Sequence, residues 1–322
     1  MPDGLVSALQ LNGEHAPRQL SKEEALGTAP AQGLIWLHFN YKHPATEAWL
    51  EQASGLTHLE TDALLAQDTR PRVLRSGDGL LLALRGINLN PGADPEDMVS
   101  IRIYISNQRI ITTSSRDLLS VKSLVEEIID GNGPVNSGGF LLGITERLTE
   151  RNVTFIDQLE ARLDDLEDNL LDGNRRDLRT DIAELRRQTV VVRRYLAPQR
   201  DAFSKLLNDS AGMFDEHQRL NFNEINDTLV RGIEDLDSIR ERATVAQEEL
   251  QNHQSEAVNQ RLYFLSLISA IFLPLGFLTG LLGVNIAGIP GAETPWAFAA
   301  FCAGLFLIVA LQLWFFYRHR WL

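Results

Sequence analysis

A chain of 322 residues has room for two folding units, and its 44% hydrophobic content is ordinary overall, yet the stretch after Arg261 is nearly free of charge. With a net charge of −13 and no basic stripe, a phosphate-binding surface is excluded, so nucleic acid is no expected partner and cations are the natural company. The single cysteine, Cys302, lies inside an apolar run, which excludes a disulfide framework and a Cys-rich metal cluster.

The N-terminal stretch MPDGLVSALQLNGEHA lacks the basic region, apolar core and small-residue cleavage site of a secretory signal, so the first part is expected in the cytoplasm. Residues 1–138 read as mixed α and β. GLIWLHF (33–39) is a candidate buried strand, and TEAWLEQA and LETDALLAQD are candidate short helices. RVLRSGDGLLLALRGINL offers two strands around the turn from Ser76 to Gly79, and MVSIRIYISNQRIITTSS offers two more around Asn107 and Gln108. DLLSVKSLVEEII is a helix ended by GNGP. The expected fold is an α+β cytoplasmic domain, an αβα-type sandwich with a mostly antiparallel sheet.

Residues 139–211 change texture. Leu159, Leu163, Leu166 and Leu170 step by four, three and four up to the turn at Asp172, Gly173 and Asn174, and Leu178, Ile182, Leu185, Thr189, Val192 and Leu196 repeat the rhythm. An antiparallel helical hairpin follows. Asp157, Glu160, Asp164, Asp165, Glu167 and Asp168 crowd its first helix, a pattern that ordinarily marks a solvated face.

Residues 212–261 form a stalk helix, in which Phe222, Ile225, Leu229, Gly232, Leu236, Ile239, Ala243, Ala246 and Leu250 make a heptad seam. No proline interrupts it before Pro274, so helix is expected to run on to Gly283, about 100 Å at 1.5 Å per residue.

Residues 262–283 and 295–317 are uncharged runs long enough to cross a hydrocarbon core of about 30 Å. Arg261 and Arg318 to Arg320 flank them, whereas the loop 284–294 has no Lys or Arg and one acid, Glu293. The positive-inside rule then puts both termini and the basic tail 318–322 in the cytoplasm and the loop outside. Trp296 at one interface, with Tyr263, Trp314, Tyr317 and Trp321 at the other, supplies the aromatic belts. Two spans cannot enclose a water-filled path, so conduction requires several copies around an axis.

Between the spans stands GVNIAGIPG, residues 283–291. A glycine at a helix end permits the left-handed turn that stops the helix, and an asparagine ring offers neutral oxygens to a hydrated dication. By itself Asn285 reads better as a helix cap. Projected back along the helix, Asn259, Leu262, Ser266, Ser269, Leu273, Gly276 and Gly280 share one face. Small and hydroxyl residues among leucines suit a narrow path gated by dewetting, and equally suit close helix packing in lipid.

With Gly283-Val284-Asn285, the upstream IFLPLGFLTGLLG carrying Pro274, the stalk, the RRYLAPQRDAF segment and the Arg-His-Arg-Trp-Leu tail, the chain resembles the CorA-type divalent cation transporters over nearly its whole length. Val284 and the following Gly288-Ile289-Pro290-Gly291 resemble the ZntB zinc-transporter branch. Where the magnesium branch typically carries an acid after the proline, Gly291 stands here, and the acid comes only at Glu293. The resemblance implies a funnel-shaped homopentamer in the inner membrane of a bacterium, with the first span lining the pore at Asn259, Leu262, Leu265, Leu273, Gly276 and Asn285. It also implies a regulatory metal site at Glu224, with Asp227 one turn on.

The implied cargo is Zn²⁺, with Mg²⁺ and Co²⁺ as alternatives, and no bound cofactor is expected. The seven histidines include no pair at i,i+3 or i,i+4 spacing, so the residues themselves show no tight zinc site. A dication gains about 4.6 kcal/mol per 100 mV on entering a negative-inside cell, which favours uptake. Neither span holds an Asp, Glu or His for proton coupling, so coupled uptake or zinc export would have to draw on groups outside the spans. No nucleophile motif, phosphate loop or paired ligand set points to an enzyme.

Overall fold

The computed structural model describes residues 4–12, 17–26, 33–67, 69–172, 177–209, 212–284 and 294–319. The chain divides into two units, Met1–Gln247 and Glu248–Leu322.

In the first unit a seven-stranded sheet forms from β1 (Leu5–Gln10), β2 (Arg18–Gln19), β3 (Ile35–Asn40), β4 (Arg72–Ser76), β5 (Gly79–Gly86), β6 (Val99–Ile105) and β7 (Arg109–Ser114). Its order is β2-β1-β3-β7-β6-β5-β4. Every pair is antiparallel except β3 with β7, which run parallel from Ile35 opposite Arg109 to Asn40 opposite Ser114. The four strands expected between 72 and 114 and the one at 33–39 are present. β1, β2 and the short helix α1 (Lys22–Leu26) precede them without a sequence signal. In β1 five of six residues are buried, so the period-two alternation that reveals a half-buried strand is missing.

Helices cover both faces. Leu37 and Phe39 of β3 pack with Leu50 of α2 (Pro44–Gln52) and Leu64 of α3 (His58–Leu65). Trp36, on the opposite face of the same strand, meets Phe140 edge to face at 4.8 Å. Phe140 belongs to α5 (Ser137–Leu171), which follows α4 (Leu119–Ile129). α3 starts with a full capping box, Thr57 and Glu60 exchanging side-chain and backbone hydrogen bonds.

α5 and α6 (Leu178–Asp209) form the expected hairpin, with Leu159, Leu163, Leu166, Leu170, Leu178, Ile182, Leu185, Val192 and Leu196 all buried. Two amides tie it to the end of β5: Gln199 Oε1 accepts from Arg85 N at 2.7 Å, and Asn152 Oδ1 accepts from Ile87 N at 3.0 Å.

α7 (Glu216–Leu282) runs unbroken for 67 residues, and its N-terminal part lies against the hairpin. The heptad seam is buried from Phe222 through Leu250. At Gly232 a Cβ would come within 3.1 Å of Ile156 Cδ1 and 3.2 Å of Val153 Cγ2, so the absent side chain sets how closely α7 approaches α5. The acidic face of α5 is exposed at Asp157, Glu160, Asp164, Asp165 and Asp168, as expected, and α7 sets one cation against part of it. Arg242 of α7 reaches Asp164 and Glu167, each at 2.5 Å, and Glu160 at 3.8 Å. These partners, Glu167 first, push the guanidinium pKa still higher. On the other side Arg193 of α6 makes a bidentate pair with Asp237, at 2.7 and 3.0 Å.

The second unit holds the C-terminal part of α7 and α8 (Ala297–Arg318), whose most apolar stretches have mean hydropathies of 2.1 and 2.2. Both are long and apolar enough to cross a membrane.

Candidate functional site

In the second unit, Leu267, Ile271, Pro274, Leu275 and Leu278 are half-buried and mark the side of α7 that α8 covers. At about 100° per residue, Asn259, Leu262, Ser266, Ser269, Leu273, Gly276 and Gly280 fall within an arc of about 100°, centred roughly 150° away from that covered side. The face singled out in the sequence thus points away from α8. Leu262, Leu265 and Leu273 are 56, 60 and 73% exposed. Among the described residues, a Cβ added at Gly276 or Gly280 would meet nothing within 4 Å, so no described helix packs closely against these glycines.

Individual positions differ. Ser269 donates its hydroxyl to Leu265 O at 2.9 Å, which leaves its lone pairs outward. Ser266 lies at the margin of the face, where with Tyr263, Leu267, Ala270 and Phe316 it lines a cavity of about 350 Å³ between the helices. Leu265 sits just beyond the opposite margin.

Gly283 requires a correction. It is not among the glycines with positive φ, so no left-handed residue stops the helix at this position. Its N–H donates to Thr279 O at 2.9 Å, continuing the helical pattern, and a Cβ there would lie 2.7 Å from that same oxygen. Glycine is required by close approach to the last turn rather than by backbone hand. Val284 is exposed beside it. Asn285, Gly288, Pro290, Gly291 and Glu293 lie outside the described residues.

The aromatic residues expected at the interfaces are exposed, with Trp296 at 68%, Trp314 at 61% and Tyr317 at 78%; Trp321 is outside the described residues. Cys302 is half-buried on α8.

In the first unit, Glu224 lines a groove of about 660 Å³ between α5 and α7 that also takes in Glu146, Thr149 and Glu150. Asp227 is exposed and off that lining. Thr149 Oγ1 is buried there with no partner among the described residues. Among the described residues no group of three or more His, Cys, Asp or Glu is placed to hold a metal ion. Glu146 and Glu150 escaped the sequence reading because they belong to a charged helix whose neighbour across the groove lies some 75 residues further on.

The family model for the CorA-like Mg2+ transporter protein matches residues 31–318. The chain belongs to that family. A zinc transport protein ZntB of Pectobacterium carotovorum subsp. carotovorum (strain PC1) is 38% identical over 319 residues, covering 99% of this chain and 96% of the relative. The divalent cation transporter CmaX of Pseudomonas aeruginosa is 39% identical over 327 residues, covering 99% and 97%. A solved full-length CmaX protein superposes with a TM-score of 0.86 at 38% identity over 100% of this chain and 99% of that one. The CorA magnesium transporter from Methanocaldococcus jannaschii shares the fold, with a TM-score of 0.84 at 22% identity over 98% and 99%. This CorA-like chain is therefore a member of a membrane transporter family that moves divalent metal cations, and no enzyme stands among these relatives. The CorA-like fold is matched end to end, from the mixed α/β unit through the long helix to the apolar α8.

Proposed function

We propose that this CorA-like chain carries Zn²⁺ inward across a bacterial inner membrane as a funnel-shaped homopentamer, with α7 around the axis and α8 outside it. The observation that carries the reading is the open face of α7: it runs from Asn259 to Gly280, is turned away from α8 and leads to Gly283-Val284-Asn285. A second copy is what would meet it. Asn285, repeated around the axis, supplies neutral oxygens at the outer mouth, and Leu262 and Leu273 supply constrictions that gate by dewetting. Gly288, Pro290, Gly291 and Glu293 shape the outer loop, with both termini cytoplasmic. The domain plan is that of the sequence reading, with 212–261 as stalk and 262–283 and 295–317 as spans. Zinc is preferred because the ZntB relative shares 38% of its residues along essentially the whole chain. The family's own description favours Mg²⁺ and is the second reading, with Co²⁺ beside it. Glu224 and Asp227 as a regulatory metal site between subunits belong to the same proposal.

The test is cation flux in proteoliposomes, comparing Zn²⁺, Mg²⁺ and Co²⁺ with and without a pH gradient, and Asn285→Ala beside wild type. Zinc flux that disappears in the variant supports the reading. Magnesium flux without zinc flux favours the second, and net zinc export against a zinc gradient refutes inward transport.

A further inference from the structure

Pro274 stands inside α7 and has no N–H. The carbonyl four residues earlier, Ala270 O, is thereby deprived of its ordinary helical donor in a segment with no water to replace it. Across the helix pair, Gln312 of α8 donates its Nε2–H to that same carbonyl at 3.0 Å. Gln312 is the only amide or carboxylate side chain in α8, and its Oε1 is buried without a partner among the described residues. One helical turn further along α8, Phe316 borders the 350 Å³ cavity that opens beside Ala270. A missing helical bond, open space on one side and a single polar clasp therefore meet at one turn of α7.

We propose that Gln312 is a positioning residue for cation passage: its amide takes over the hydrogen bond that Pro274 removes and holds this turn of α7 against α8. The role rests on α7 lining the ion path, as proposed above. Released from Gln312, the turn has a free carbonyl and a cavity to move into, and Leu273 and Gly276 on either side of Pro274 move with it.

The experiment is a double-mutant cycle on the full chain in proteoliposomes, with Zn²⁺ as the probe. Gln312→Leu is expected to slow maximal flux roughly fivefold at unchanged half-saturation, the size of an interhelical hydrogen bond in lipid. Pro274→Ala restores an N–H four residues from Ala270, so the double variant Pro274→Ala/Gln312→Leu should transport within about twofold of Pro274→Ala alone. An equal slowing in both backgrounds overturns the proposal. Should Gln312→Leu fail to assemble, recovery of assembly by Pro274→Ala supports it and persistent failure refutes it.

Ala270-Ile271 is the sole Ala-Ile pair in the sequence, so ¹³C-carbonyl alanine with ¹⁵N-isoleucine labelling isolates the Ala270 carbonyl by NMR. Its resonance should move upfield in Gln312→Leu and return in the double variant. An unmoved resonance denies the bond, and a moved resonance with unchanged flux denies the positioning role. If wild type carries no cation at all, the transport reading fails, while the carbonyl resonance still decides whether the bond exists.

Discussion

Lowering the pH should destabilise the first unit through His38. This residue of β3 is 3% exposed and faces α5 beside Trp36. Its tautomer follows from its partners. Thr112 Oγ1 accepts from Trp36 Nε1–H at 2.8 Å and donates its one proton to His38 Nδ1 at 2.7 Å. Ser114 Oγ gives its proton to Arg116 O at 2.8 Å, so at 3.3 Å it accepts from His38 Nε2–H. A second proton on the ring would point at a hydroxyl already committed as donor. Burial lowers the pKa of the ring from 6.5 to about 4. In that interval the unfolded chain binds the proton and the folded chain does not, so stability is full above 6.5 and is lost as pH falls toward 4. At ~1.4 kcal/mol per pH unit the loss comes to about 3 kcal/mol and levels off below the folded pKa.

The comparison variant is His38→Gln, whose amide can accept from Thr112 and donate to Ser114 without titrating. Urea unfolding of the full chain in detergent, from about pH 7 to about pH 4, should show wild type losing about 3 kcal/mol more than the variant. Parallel losses in the two proteins, or an imidazole resonance of folded His38 that titrates near its unfolded value, would refute the reasoning.

Two further outcomes test the helical layer. Asn152→Ala removes the acceptor for Ile87 N and leaves a buried N–H unpaired, so it should cost about 1–3 kcal/mol in the same urea assay. Arg242→Gln removes the charge that faces Glu160, Asp164 and Glu167. Because these groups are about one-third exposed or more, the loss should be only about 1 kcal/mol and should shrink in high salt, which paired melts at two salt concentrations would show.

The sequence by itself determined everything that repeats along the chain. The leucine rhythm of α5 and α6, the seam of α7 and the two uncharged runs record the surroundings each stretch is built for, and all of them lie in helices of the structure. The open face from Asn259 to Gly280 was legible for the same reason, since helical geometry fixes which residues share a side. The tertiary structure decided what depends on neighbours remote in sequence. β1 was silent because burial on both faces erased its alternation. The acidic face of α5 is exposed as its charge predicts, but only the packing of α7 showed that Arg242 is set against Glu160, Asp164 and Glu167, and that Ser266 borders Phe316. Gly283 proved to be required by its approach to Thr279 O. Gln312 could be seen in the sequence as a lone amide in an apolar run, but not that it answers Pro274: a hydrogen bond joining residues 42 positions apart leaves no period to read, and only the packing of α8 on α7 brings donor and orphaned carbonyl together.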